Sequence, residues 1–170
     1  MQVLSEIRRA SGINTQGKAI QRTAVRAVIW RGRELLMVYS ANVGDYKFPG
    51  GGVNVGETHA QALARELLEE CGASLLSVDG ELGAIIEYNI PMEKDFDVFK
   101  MTSYYYLCRI KDSDFAAQKL DGYEAELGFQ PMWIDIDKAI EANKLLLNSS
   151  IDWLPREVFS LEYLKQNILT

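Results

Sequence analysis

Residues 48–73 read FPGGGVNVGETHAQALARELLEECGA. Gly50, Gly51 and Gly52 run directly into a stretch of helical period that crowds Glu66, Glu69 and Glu70 together. Carboxylates at i, i+3 and i+4 repel one another, by about 0.2–0.5 kcal/mol per pair. A plain surface helix would interleave Lys or Arg, so something must offset the repulsion. The helix is sharply bounded. Thr58 and Gln61 have capping-box spacing, in which each side chain satisfies the other residue's free backbone N–H. Gly72 fits the left-handed position that ends a helix. The spacing therefore predicts a helix from Thr58 to Cys71.

At about 100° per residue, with Glu66 at zero, Glu70 falls about 40° to one side and Glu69 about 60° to the other. Ala62 shares this sector and leaves room beside the acids. Ala60, Leu63, Ala64, Leu67, Leu68 and Cys71 fall on the other side and read as the core face. Glycines let backbone approach a ligand closely and free carbonyl oxygens to point at a site. Carboxylates plus a backbone carbonyl make an all-oxygen donor set, which suits a hard cation such as Mg²⁺ or Mn²⁺. Such a cation offsets the repulsion and activates water for attack on a phosphorus.

Upstream, residues 1–22 are polar and read as an N-terminal arm or short strand. TAVRAVIW (23–30) and LLMVYS (35–40), joined by RGRE, read as a hairpin. Downstream, 74–79, 82–90 and 101–110 read as strands. Residues 111–128 are polar and mixed. FQPMWI is a short strand that Pro131 places at an edge or end. Asp135 reads as the N-cap of a helix, and PREVFSLEYLKQNIL closes the chain as an amphipathic helix with Pro155 in its first turn.

The 170 residues favour one domain, 1–170. Hydrophobic residues at 48% and charged residues at 25% are ordinary for a globular chain. A net charge of −6 argues against a nucleic-acid or membrane-surface binder. Two cysteines, Cys71 and Cys108, are too few for a disulfide framework and read as buried thiols. No secretory signal or bilayer-length apolar run is present, so the cytoplasm is the expected compartment.

With Gly51, Glu57, Arg65, Glu66, Leu67, Glu69, Glu70, Gly72 and Ala73 in place, the chain resembles the Nudix (MutT-like) hydrolase family over 23 contiguous residues. Its signature is Gly, five residues, Glu, seven residues, then Arg-Glu-U-x-Glu-Glu-x-Gly-U, with U aliphatic. Only Ala73 is smaller than usual. The resemblance implies an α/β/α sandwich around a mixed β-sheet. It also implies divalent-metal-dependent hydrolysis of the diphosphate linkage of a nucleoside diphosphate joined to another moiety. Glu66, Glu69 and Glu70 match metal-binding carboxylates, with Glu66 serving as base in some members. The Gly50 carbonyl matches a metal-coordinating oxygen, and Arg65 and Glu57 match a pair bracing the loop against the helix. A further acid often comes from a late loop, for which Glu124 and Glu126 are candidates. The sequence does not choose between them. A nucleotide-binding or sensing module without turnover is the alternative, although such modules usually lose acids that are all kept here.

The substrate is not legible. Nucleotides, nucleotide sugars, ADP-ribose and dinucleoside polyphosphates all stay open. Tyr88 and Pro91 lie near the positions of subfamily markers and match none cleanly. Arg26, Phe48, Tyr46 and Tyr88 are the candidate substrate contacts. Arg26 shares a strand face with Val28, an awkward place for a charge unless it faces phosphate, and a rim salt bridge is the duller reading. His59, the one histidine, has no nucleophile context and reads as a surface residue. The family is often homodimeric, and the N-terminal arm and C-terminal helix are the candidate partner surfaces.

Overall fold

The computed structural model describes residues 1–111 and 115–168. Parts of the polar stretch 111–128 and of the closing helix expected from the sequence, residues 112–114 and 169, lie outside these. Two sheets lie between helices. The first has the order β1 (Val3–Arg8), β6 (Leu75–Asn89), β7 (Val98–Ile110), β2 (Ala19–Val28). It is mixed: β1 runs parallel to β6, β6 antiparallel to β7, and β7 parallel to β2. The second is antiparallel, with β4 (Glu34–Ser40) at its centre. It is flanked by β3 (Trp30–Arg31), β5 (Asp45–Lys47) and β8 (Phe129–Asp135).

The expected hairpin of 23–30 with 35–40 is corrected. The chain changes sheets at Ile29, so β2 joins the first sheet and only the two-residue β3 turns back on β4. The two strands expected at 74–79 and 82–90 are one strand, β6. It keeps running through register shifts around Gly80 and Gly83, where bulges absorb extra residues. Pro131 does sit on an edge strand, since β8 pairs with β4 alone.

Side-chain alternation sorts the core into two layers. Val25 and Ala27 of β2, with Leu36 and Val38 of β4, pack under α1 (His59–Cys71) against Ala62, Leu63, Leu67 and Cys71. The opposite faces carry Val28, Leu35, Met37, Ile85 and Tyr105. They pack on α3 (Ile136–Leu145) and α4 (Leu154–Asn167) through Ile136, Ala139, Ile140, Leu161 and Leu164. This is the α/β/α arrangement. The apolar stripe of α1 is narrower than its sequence suggests, because Ala60 is exposed and Leu68 is 39% exposed.

The ends of α1 follow local chemistry. The Thr58 hydroxyl accepts from the Gln61 N–H at 3.2 Å and the Gln61 side chain accepts from the Thr58 N–H at 2.9 Å. Gly72 adopts φ 68°, and a Cβ there would lie 1.9 Å from the Ala116 carbonyl oxygen. That close approach lets residues 116–119 run along the end of α1. The Ala116 N–H donates to the Gly72 carbonyl at 2.8 Å and the Lys119 N–H to that of Glu69 at 2.8 Å. The chain is thereby delivered to α2 (Gly122–Leu127), a short helix the sequence reading did not foresee. Its signal was present: Asp121 and Glu124 form a capping box.

Candidate active site

The glycine loop is zipped onto β2. The Val25 N–H donates to the Gly51 carbonyl at 3.0 Å, the Ala27 N–H to that of Pro49 at 2.8 Å, and the Val53 N–H to that of Thr23 at 3.0 Å. Two glycines sit at close approaches, and Gly50 is the one that no other residue can replace without strain. Gly50 has φ 138°, and a Cβ there would sit 2.1 Å from the Val25 carbonyl oxygen. A Cβ on Gly51 would lie 2.5 Å from Glu66 Oε1. The loop is bare so that the helix carboxylates can press against backbone.

Arg65 locks this contact. Its guanidinium meets Glu57 in a bidentate pair, with Nε to Oε1 and Nη2 to Oε2 both at 2.8 Å. It also donates to the Gly52 carbonyl at 2.9 Å, to Glu66 at 2.6 Å and to Glu69 at 3.2 Å. Arg65 holds the Glu57 carboxyl down at about 2. One guanidinium thus braces the loop, orients Glu66 and tethers Glu69.

Ligand atoms of Glu66, Glu70 and Glu124 lie within 4.8 Å of one another. Glu66 and Glu70 are each only 6% exposed. Burial raises the carboxyls of Glu66 and Glu124, and pushes Glu70 up to about 8 although the Gly50 N–H donates to it at 2.7 Å. Arg65 and Arg26 offset the burial of Glu66 only in part, as the Gly50 N–H and Arg26 do for Glu70. The structure brings Glu124, not Glu126, to this cluster; Glu126 is exposed, and its backbone carbonyl accepts from Asn42. Glu124 caps α2 by accepting from the Asp121 N–H at 2.9 Å, which fixes the side chain over the site. Glu69 stands outside the three-carboxylate group, half-buried and tied to Arg65.

The donor set fits Mg²⁺ or Mn²⁺. It is all oxygen, preassembled and anionic, with the Gly50 carbonyl beside it. That carbonyl also accepts from Arg26 Nη1, which leaves one lone pair. Arg26 therefore bonds within the site, not in a rim salt bridge. Its Nε is buried without a partner among the described residues.

The cluster opens into a cleft of about 440 Å³. Arg22, Arg26, Phe48 and Lys47 line it, with Phe99, Met101, Tyr123 and Trp153. Tyr46 and Tyr88, expected at the site, are corrected. Tyr46 alternates away from Lys47 and packs on Tyr39, its hydroxyl meeting Met132 Sδ at 3.7 Å. Tyr88 alternates away from the cleft-lining Glu87 and lies against the Lys100 ammonium. The sequence reading missed Lys47, although it shares a strand face with Asp45 just before the glycine loop. It also missed Arg156 on α4. Arg156 is buried and donates to Glu87 at 2.8 Å and Glu157 at 2.7 Å. Glu157 in turn accepts from the Phe48 N–H at 3.1 Å. Burial pushes Glu87 upward, but Arg156 and Arg9 outweigh it and hold the carboxyl below its ordinary value. His59 is only half-buried, with Nδ1 at 2.6 Å from the Tyr106 hydroxyl and its ring against Tyr104.

A family model described as the NUDIX domain matches residues 20–156, and the chain belongs to the Nudix family. Its chemical class is that of a Nudix pyrophosphohydrolase, a hydrolase of pyrophosphate bonds. An RNA pyrophosphohydrolase of Sulfurovum sp. (strain NBC37-1) is 33% identical over 106 residues, which cover 57% of this chain and 68% of that protein. One of Helicobacter pylori (strain G27) is 38% identical over 74 residues, covering 42% of this chain and 48% of its own length. The chain thus spans about half the length of that relative. A NUDIX hydrolase from Nitrosomonas europaea shares the fold, with a TM-score of 0.52 and 24% identity over 85% of this chain and 91% of that one. Among the described residues, no helix is long and apolar enough to cross a membrane.

Proposed function

We propose that this chain hydrolyses the diphosphate linkage of a nucleoside diphosphate joined to another moiety, with Mg²⁺ or Mn²⁺ held by Glu66, Glu70, Glu124 and the Gly50 carbonyl. The observation that carries the reading is the carboxylate trio, buried Glu66 and Glu70 on a bare glycine loop with half-buried Glu124 over them, at a cleft whose walls supply Arg22, Arg26 and Lys47. When bound, the divalent cation would supply Lewis-acid polarisation of phosphoryl oxygens and lower the pKa of water from its bulk value of about 15.7. The chain's own residues do the rest. Arg65 is a positioning residue that fixes Glu66 and the loop. A carboxylate of the cluster takes the proton of the attacking water. Arg22 and Arg26 neutralise phosphate oxygens as the anhydride breaks. Phe48 and Phe99 offer apolar surface to the remainder of the substrate. The names of the relatives add RNA to the substrates worth testing, against a chain of net charge −6.

The test is hydrolysis of a panel with Mg²⁺ or Mn²⁺, products identified by mass, beside Glu70→Gln. The panel holds nucleoside triphosphates, ADP-ribose, nucleotide sugars, dinucleoside polyphosphates and a 5′-triphosphorylated RNA. Turnover that disappears in the variant supports the reading. Binding without turnover of any member overturns it in favour of a sensing module.

A further inference from the structure

We propose that Lys47 is a substrate-binding residue whose ammonium holds a phosphate oxygen of the substrate, a role that rests on the diphosphate reading above. Three observations converge on it. First, Lys47 is buried, at 8% exposure, yet it lines the cleft that contains the carboxylate trio. Second, its surroundings are aromatic. Nζ lies 4.0 Å from the Phe129 ring centroid, 4.3 Å from that of Trp153 and 6.0 Å from that of Tyr123. These faces attract a cation but carry no countercharge. Third, no carboxylate nearby pairs with it. Asp45, two residues earlier on the same strand face, accepts the Trp153 indole N–H at 2.6 Å with Oδ2, while its Oδ1 is buried without a hydrogen-bond partner among the described residues. Glu157 is taken by Arg156 and by the Phe48 N–H. Among the described residues Lys47 forms no ion pair, whereas Arg156 and Arg9, on the same cleft, are both paired with Glu87.

A buried cation without a countercharge is costly unless an anion completes it. The aromatic faces hold the lysine stem in one place, so little freedom is lost when a phosphate arrives. The Asp45–Trp153 bond serves the same end. It fixes one wall of the cage.

The test uses Lys47→Met, which keeps the stem volume against the cage and removes the charge. On whichever nucleotide the panel identifies, KM is expected to rise about 10- to 100-fold with kcat nearly unchanged, as for loss of one charged hydrogen bond made equally in ground and transition states. Inorganic pyrophosphate binding to the EDTA-treated protein, read by calorimetry, is expected to weaken by a similar factor. An unchanged KM and pyrophosphate affinity would overturn the inference while leaving the hydrolase reading intact. If the wild type turns over no nucleotide, that reading fails and the pyrophosphate comparison still decides the role of Lys47. Should the variant not fold, NMR of the wild type labelled with ¹³C-lysine decides instead. The Lys47 side-chain signal must move on pyrophosphate addition, and a stationary signal overturns the proposal.

Discussion

Two arginines organise the molecule from opposite sides of one loop. Arg65 on α1 gathers Gly52, Glu57, Glu66 and Glu69, all within thirteen residues of itself. Arg156 on α4 gathers its neighbour Glu157 and the distant Glu87, 69 residues away, and reaches the loop only through Glu157 and the Phe48 N–H. The Arg65 side chain is 28% exposed; that of Arg156 is 3% exposed. The contrast separates two uses of an ion pair. The Arg65 network is less buried than that of Arg156, so less of the cost of breaking it falls on stability, and Arg65 matters chiefly for where it puts carboxylates. A buried network is unforgiving once broken, because each lost partner strands a charge, so Arg156 matters for whether the layers stay together.

The sharpest way to break this contrast is Arg156→Met. It leaves Glu87 and Glu157 buried with fewer partners and is expected to cost about 3–5 kcal/mol in urea unfolding. A loss below 1 kcal/mol would mean the two networks are equivalent. Arg65→Met should do the converse, losing about 10- to 100-fold in activity, the usual penalty for a residue that orients metal ligands. Its unfolding free energy should fall by less than that of Arg156→Met, because Arg65 and Glu69 keep access to water. A third experiment probes the carboxylates between the two networks. Burial holds the Glu70 carboxyl at about 8, well above its ordinary 4.5. Between those values the folded chain keeps a proton that the unfolded chain has released. The Glu70 contribution to the stability of the metal-free protein should therefore be full below the ordinary value and decline by up to about 1.4 kcal/mol per pH unit as pH rises toward 8. Added Mg²⁺ should flatten the slope in thermal melts. Thr58→Ala is the smallest perturbation, costing about 1 kcal/mol through loss of the N-cap. It should leave KM unchanged, since the cap lies outside both networks.

What could be read from the sequence divides along the same line. Helix α1, its caps and the crowding of its acids were legible, because every partner lies within one helix and the loop before it; the Glu57–Arg65 brace came only with the family resemblance. The three-layer fold followed from the resemblance that those residues carry. Glu124 could not be chosen over Glu126 by composition. The choice is made by α2, whose capping box at Asp121 was present but sat in a stretch that read as polar and mixed. Tyr46 was placed near the site by proximity in sequence and Tyr88 by its nearness to a subfamily-marker position, and strand alternation sends both to other faces. Arg156 and Lys47 were invisible for a different reason. Their significance depends on Glu87, Phe129 and Trp153, which only the assembled sheets bring into contact.

The hydrogen bonds between the glycine loop and β2 have a consequence beyond chemistry. β2 is an outermost strand of its sheet, and such a strand offers a row of unsatisfied amides and carbonyls to any other extended chain. Residues 49–53 cover the second half of that row with backbone of their own. The segment that lines the cleft thus also covers part of an edge that would otherwise be open to pairing. A substitution at Gly50 that pushed the loop off Val25 would bare a sticky border as well as displace a ligand, so solubility and activity are guarded by the same few peptide groups.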